Sequence, residues 1–395
     1  MTTKCPAIAV PAVRAVGGWS RPWSQFWFTP ADPTLLGFIR ICAGLFVFYV
    51  HLAYTVDLSE LLGPHAWVDV QAMHDYRYEM PFTALPTDWS ESESAAGGSD
   101  RLPPTPEEAR MMQKFGVSDP GLVRGKGNVG WSIWYHVTDP QWMLATHALV
   151  LVILFLFMSG FCTPVTSVLA WLATVSYAQR APTTADGMDT MVNLVMLYLM
   201  IGPSGAALSL DRLIARYWAR RQASRTGRAA RKYAPSAPRV AANLALRLLQ
   251  VHLCTIYLVS GLSKLQGNAW WNGTAIWLTL ANPEYSPIRS HLFYAFLQFL
   301  CKHRLLWELV MNGGVALTLA VEIGFPFLVW RRSLRGTMLA MAAMMHAGIA
   351  VLMGLTMFSL MMLTLLLAFV PPEWIHRLLG VFTSTPILHS KEFER

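Results

Sequence analysis

The sequence feature that most constrains the fold is a series of long apolar runs, each separated from the next by a polar segment. A helix needs about 20 consecutive apolar residues to cross the hydrocarbon core of a bilayer. The runs that approach this length are Leu35–Tyr54, Trp142–Phe161, Val165–Tyr177, Met188–Ile201, Leu246–Ser263, Leu305–Trp330, Leu334–Leu352 and Met357–Val370. They predict an all-α, polytopic integral membrane bundle of about eight transmembrane helices. The third and fourth runs are short, so whether both cross the membrane stays open.

The composition supports a membrane protein. Of the 395 residues, 54% are hydrophobic and 14% are charged, whereas soluble domains carry about 25% charged residues. The formal net charge is +8, and in such a chain we expect the basic excess to face anionic lipid rather than nucleic acid. The five cysteines form no CxxC motif, so no disulfide framework is predicted.

Lysine and arginine lie in clusters that predict the orientation, because positive segments stay on the cytoplasmic side. The clusters are Lys4, Arg14 and Arg21 before the first run; Arg212, Arg216, Arg220, Arg221, Arg225, Arg228, Arg231 and Lys232 after the fourth; and Arg331, Arg332 and Arg335 after the sixth. Eight crossings with both termini inside place all of them in the cytoplasm. The predicted organisation is a cytoplasmic segment 1–32, a transmembrane domain 33–372 with an external loop 57–140 and a basic cytoplasmic loop 203–245, and a cytoplasmic tail 373–395.

The most informative polar residue is Lys264, at the end of the fifth run. Gln250, Tyr257, Ser260 and Gly261 lie at helical spacing from it, so they form one stripe of that helix. Small residues beside a lysine leave room for a partner helix or a flat ligand. A partly desolvated lysine could accept a proton, but a lysine at a helix end also commonly snorkels. Both interpretations stay open.

Other ionisable residues fall within the runs. Glu322 could relay protons or bond to a neighbouring helix, and we expect it to face protein because a carboxylate in hydrocarbon costs about 2.5 kcal/mol or more. His346 could act as an acid, a base or a structural hydrogen-bond donor. Asp189 begins the fourth run, where an acid also stabilises a helix dipole. Arg40 is expected to snorkel or to pair with lipid phosphate. No metal-ligand motif such as HExxH occurs, so no metal is predicted.

Residues 247–273, RLLQVHLCTIYLVSGLSKLQGNAWWNG, resemble the central signature of the membrane domain of vitamin K-dependent gamma-carboxylases and their bacterial HTTM relatives. The resemblance covers about residues 33–372. Supporting stretches are FIRICAG at 38–44, residues 180–189, PSGAALSLDRL at 203–213, EIGFPFLVWRR at 322–332, and His346 before Met357-Phe358-Ser359.

The resemblance implies a site and a chemistry. Lys264 would be the base that deprotonates vitamin K hydroquinone or menaquinol, and His346 would be an active-site histidine. The residues implied to bind the cofactor are Tyr257, Ser260, Gly261 and Trp270. In that family, oxygen converts the quinol to a strong base that removes a proton from the gamma carbon of a peptide glutamate, and the carbanion adds to carbon dioxide.

The sequence departs from the family in three places. Ser263 stands where the carboxylases have the first lysine of a pair, and the acid Asp189 stands near a histidine of the family. We expect no large luminal domain after the eighth run. Quinol chemistry is therefore expected more strongly than processive carboxylation.

Several functions stay open at this point. The first is a bacterial inner-membrane protein that uses Lys264 for quinol-linked carboxylation, or related chemistry, on the quinol or on an exported peptide. The second is a non-enzymatic membrane partner in the maturation or export of a peptide, with Asp57–Asp139 as its contact surface. The third is a small-solute transporter. Convergence of Lys264, Tyr257 and His346 on one pocket would favour the first, and Lys264→Ala would then abolish activity while leaving folding nearly intact.

Overall fold

The computed structural model describes residues 20–64, 66–67, 106, 109–110, 113, 131–180, 187–226, 236–282, 288 and 290–382. Its helices are, in chain order, α1 (Ser20–Phe28), α2 (Thr34–Ala53), α3 (Leu58–Leu62), α4 (Pro140–Ser159), α5 (Thr163–Arg180), α6 (Gly187–Ile201), α7 (Leu210–Thr226), α8 (Val240–Lys264), α9 (Asn268–Trp271), α10 (Ala275–Ala281), α11 (His291–Lys302), α12 (Arg304–Leu328), α13 (Arg332–Leu352), α14 (Thr356–Leu366) and α15 (Pro372–Phe382). The described residues contain no strand, so the predicted all-α class is confirmed.

Within the described residues, five helices are long and apolar enough to cross a membrane: α2, α4, α8, α12 and α13. A sixth crossing is present if residues 356–369 and 372–378, which meet at a bend of 112°, count as one span. The predicted number of eight is not confirmed. Helix α6 has only 15 residues, and α5 buries a polar face that includes Thr166, Ser167 and Thr174.

The chain divides into two compact units, residues 41–197 and residues 1–40 with 198–395. In the first of these, α4 packs against α5. Asp139 caps the start of α4 by accepting hydrogen bonds from the backbone of Gln141 and Trp142, and Gly160, with φ 75°, ends it. Most of the predicted external loop 57–140 lies outside the described residues.

In the second unit, α8 packs against α12, α12 against α13, and α13 against α14. Helix α1 packs along α8, where the Asn243 amide donates hydrogen bonds of 2.8 and 2.9 Å to the carbonyls of Phe26 and Trp27. The predicted basic loop 203–245 is largely helical, because α7 occupies residues 210–226 and α8 begins at Val240. The predicted tail 373–395 likewise contains most of α15.

Arg40 does not reach a lipid head group, contrary to the expectation from its position. Its side chain is fully buried. Its guanidinium donates a 2.6 Å hydrogen bond to the carbonyl of Ser204 and a second bond to the carbonyl of Leu208. Arg40 therefore stabilises the turn between α6 and α7, whose carbonyls would otherwise be buried without a donor.

Candidate functional site

The polar end of α8 contains an ion pair with α12. Lys264 Nζ lies 2.9 Å from Glu322 Oε1 and 2.7 Å from Ser260 Oγ. Ser260 in turn donates a 3.1 Å hydrogen bond to the same carboxylate oxygen. Ser260 lies four residues before Lys264, so both donors lie on one face of α8. Together with Glu322 they form one hydrogen-bonded cluster.

Helices α8 and α12 approach closely beside this cluster because α8 has Gly261 there. A Cβ at this position would lie 2.8 Å from a side-chain carbon of Ile323 and 3.0 Å from Cβ of Glu322. Such distances are too short for a carbon atom, so only glycine allows the helices to meet at this separation. The small-residue stripe of the sequence therefore packs against the helix that carries Glu322.

A second polar pair lies two turns earlier on α8. Tyr257 Oη is 2.8 Å from His346 Nε2 on α13. The tyrosine ring also contacts Phe325 edge-on, with 4.9 Å between ring centroids, and the histidine ring contacts Phe358 at 5.9 Å. Tyr257 and His346 are both 2% exposed, so the pair is a polar contact enclosed by aromatic rings.

Three buried polar atoms on α12, α13 and α14 have no hydrogen-bond partner among the described residues. They are Glu322 Oε2, His346 Nδ1 and Ser359 Oγ. Glu322 is 7% exposed and Ser359 is 1% exposed, which confirms that Glu322 faces protein. A buried polar atom without a partner costs about 1–3 kcal/mol, so each is an available contact for a polar ligand or a water molecule.

Trp270 covers the ion pair from outside the helix. The Lys264 ammonium lies 5.4 Å from the centroid of its ring, within the range of a cation–π contact. The neighbouring Trp271 fixes the turn after α8 by donating a 2.7 Å hydrogen bond to the carbonyl of Leu265. An aromatic face thus lies beside an ammonium group, where a flat ring could stack.

The cluster can hold and move a proton. Lys264 and Glu322 can exist as an ion pair or, after one proton crosses their hydrogen bond, as an amine and a carboxylic acid. The second carboxylate oxygen of Glu322, Oε2, has no partner among the described residues, so it can accept a further proton or hydrogen bond. These are the properties of a general acid or base, provided that a substrate reaches the oxygen.

The sequence-predicted residues do not all meet. Lys264, Ser260 and Glu322 form the hydrogen-bonded cluster, and Gly261 and Trp270 adjoin it. Tyr257 and His346 form the polar pair two turns earlier on α8. Asp189 belongs to the other compact unit, and Arg40 stabilises a turn.

Sequence reasoning missed Ser359, whose buried hydroxyl has no partner among the described residues. A polar residue within an apolar run is the signal that could have identified it.

No known protein family, curated protein or solved structure matches this chain.

Proposed function

We propose that this chain is an integral membrane protein that binds a quinol and exchanges a proton with it at the Lys264–Glu322 pair. The proposal depends most on one observation. Glu322 accepts two hydrogen bonds at Oε1, while its Oε2 is buried without a partner among the described residues. A hydroxyl donor would satisfy that oxygen.

The spacing of the two polar pairs suits an aromatic ring with oxygens at opposite ends. Tyr257 and Lys264 are seven residues apart on α8, which corresponds to about 10 Å along a helix axis. Two para oxygens with one hydrogen bond at each end span about 11 Å. One oxygen would bind Glu322 Oε2, and the other would bind His346 Nδ1 or Ser359 Oγ.

The residues would have separate roles. A bound quinol supplies ionisable hydroxyls and two electrons. Glu322 Oε2 would accept the hydroxyl proton, and the Lys264 ammonium would stabilise the negative charge that develops on the ring oxygen. We therefore assign the base to the Lys264–Glu322 pair rather than to the lysine alone. Trp270 would stack on the ring.

The wider setting is part of the proposal. We place the chain in a bacterial inner membrane with both termini in the cytoplasm, on the basis of its basic clusters. Carboxylation of an exported peptide is the reaction that the family resemblance suggests for such a quinol site. The two alternative functions, a non-enzymatic membrane partner of a peptide and a small-solute transporter, would require the same position in the membrane.

The test is mass spectrometry of lipid extracted from the purified full-length protein. We expect a quinone to co-purify with the wild type and to fall about tenfold in Glu322→Gln, which removes the charged acceptor. Glu308→Gln, a surface carboxylate on the same helix, is the matched control and should retain the quinone. An extract without quinone, or equal amounts in all three proteins, would contradict the proposal, and a co-purifying peptide would favour the non-enzymatic alternative.

A further inference from the structure

Helix α7 (Leu210–Thr226) presents large apolar side chains to its surroundings. None of its residues is buried against the described part of the chain, and Tyr217 and Trp218 are 59% and 56% exposed. Five arginines and one aspartate lie among its 17 residues, and so many charges do not suit the hydrocarbon core of a bilayer. Exposed apolar residues that lie together mark an interaction surface, so α7 is expected to contact something other than its own unit.

One face of α7 carries both the apolar residues and two of the arginines. Its members follow one another at helical spacing and are Leu210, Ile214, Tyr217, Trp218, Arg221 and Arg225. Arg212 lies on the opposite side, where its guanidinium donates a 2.7 Å hydrogen bond to the carbonyl of Ala206. The Arg221 guanidinium lies 5.6 Å from the centroid of the Trp218 ring. This outward face is therefore apolar in its first half and positively charged in its second.

Two further exposed tryptophans belong to the same compact unit as α7. They are Trp23 on α1 and Trp374 on α15. Helix α1 packs beside the first turn of α8, where Asn243 binds its carbonyls. Helix α15 is attached through His376 to Asp32, two residues before α2. Both tryptophans thus lie on helices attached at the end of the unit where α2 and α8 begin.

Helix α7 begins at this same end. Ala31 and Arg239 exchange backbone hydrogen bonds of 3.1 and 2.9 Å, so the starts of α2 and α8 lie side by side. Arg40, in the second turn of α2, binds the carbonyls of Ser204 and Leu208 in the turn before α7. Tryptophan is enriched where a membrane meets water, so this end of the unit has the side chains of a lipid interface.

We propose that α7 is an interfacial helix that lies on the bilayer surface and binds the head groups of anionic phospholipids. Its apolar residues would enter the boundary of the acyl chains, and Arg221 and Arg225 would bind lipid phosphates. Arginine suits this role because its paired N–H donors match phosphate oxygens. A second copy of the same face would bring like charges together, which disfavours a dimer contact. The proposal is independent of the quinol site, because it uses none of the residues of that site.

The test measures the depth of α7 in nanodiscs that contain the full-length protein. In a cysteine-free background, a spin label is attached at Ile214→Cys on the outward face or at Ala219→Cys, an exposed position on the opposite side. Its collision rates with oxygen, which partitions into lipid, and with a water-soluble nickel complex are compared. The nanodiscs contain either phosphatidylglycerol or phosphatidylcholine.

A charge variant tests the role of the arginines. It combines Arg221→Gln with Arg225→Gln, and both residues are exposed. The matched control combines Lys302→Gln with Arg304→Gln, which removes two exposed cations from α11 and α12. The affinity of each detergent-purified protein for phosphatidylglycerol is measured by native mass spectrometry.

In phosphatidylglycerol, we expect the label at Ile214→Cys to favour oxygen and the label at Ala219→Cys to favour nickel. The preference at Ile214→Cys should weaken in phosphatidylcholine. Affinity for phosphatidylglycerol should fall about tenfold in the charge variant and stay unchanged in the control.

Three results would overturn the proposal. The first is an equal preference of the two labels, or shielding of the Ile214→Cys label from both reagents, as beneath a second protein. The second is equal depth in the two lipids. The third is an equal affinity of the charge variant and the control for phosphatidylglycerol.

Discussion

Lys264 and Glu322 are 58 residues apart in the chain, yet Nζ of the lysine lies 2.9 Å from Oε1 of the glutamate. The lysine side chain is 23% exposed and the glutamate side chain 9%. The more buried partner therefore depends on the more exposed one, because among the described residues only Ser260 donates a further hydrogen bond to the Glu322 carboxylate.

The first prediction concerns Lys264→Ala. Sequence position alone suggests little effect on folding, but the structure indicates that Glu322 loses its charged partner. We expect a loss of about 1–3 kcal/mol in the free energy of unfolding. A double-mutant cycle with Glu322→Gln should show coupling between the two sites. If the losses in the free energy of unfolding of the two single variants simply add in the double variant, the contact contributes nothing to stability.

The second prediction concerns the approach of α8 and α12. Gly261→Ala places a methyl group 2.8 Å from Ile323, so we expect it to destabilise the protein by about 1–3 kcal/mol and to weaken quinone retention. Gly336→Ala on α13 is the control, since nothing lies within 4 Å of its Cβ position. Equal unfolding temperatures for the two variants would show that the helices do not meet as described.

Arg40 gives the third prediction. Arg40→Leu leaves the carbonyls of Ser204 and Leu208 without their donor, and the expected cost is about 1–3 kcal/mol or more. Arg220→Leu, an exposed arginine on α7, should leave the thermal midpoint nearly unchanged. A similar midpoint for both variants would assign the buried guanidinium no role in stability.

The fourth prediction concerns pH and the attachment of α15. His376 Nε2 lies 2.7 Å from Asp32 Oδ2. Partial burial raises the pKa of Asp32, but hydrogen bonds from Thr34 and His376 outweigh it, and the pKa lies below its ordinary value. The stabilisation by this carboxylate is therefore present above about pH 4 and is lost as the pH falls through the lowered pKa.

Hydrogen exchange of residues 372–378, corrected for intrinsic rates, should show this contact directly. Protection should be retained on acidification from about pH 7 to about pH 5, because an ionised Asp32 accepts a bond from Nε2–H in either charge state of the histidine. Asp32→Ala should reduce the hydrogen-exchange protection of these residues. Unchanged protection in that variant would show that the ion pair does not hold α15.

The fifth prediction is the orientation. In a cysteine-free background, a single cysteine at Ala96 should react with an impermeant reagent in intact cells. A cysteine at Ala223 on α7 should react only after lysis. The reverse pattern would invert the proposed topology.

Each predicted apolar run coincides with a helix of the structure, whereas shorter helices such as α1, α10 and α11 correspond to no predicted run. The sequence predicted the burial of Glu322 for a sound physical reason, the cost of a carboxylate in lipid. It could not predict the partner of Glu322, because periodicity describes one helix at a time and the contact joins two. For the same reason, Ser359 was not recognised, and the backbone carbonyls that bind Arg40 carry no sequence signal.

Helix α12 contains a proline, Pro326, four residues after Glu322. Proline has no backbone N–H, so it cannot donate the usual hydrogen bond to the carbonyl of Glu322. The helical ladder is therefore interrupted at the residue that carries the buried carboxylate. Bending α12 costs less at this turn than elsewhere along the helix, so Glu322 lies at a built-in hinge.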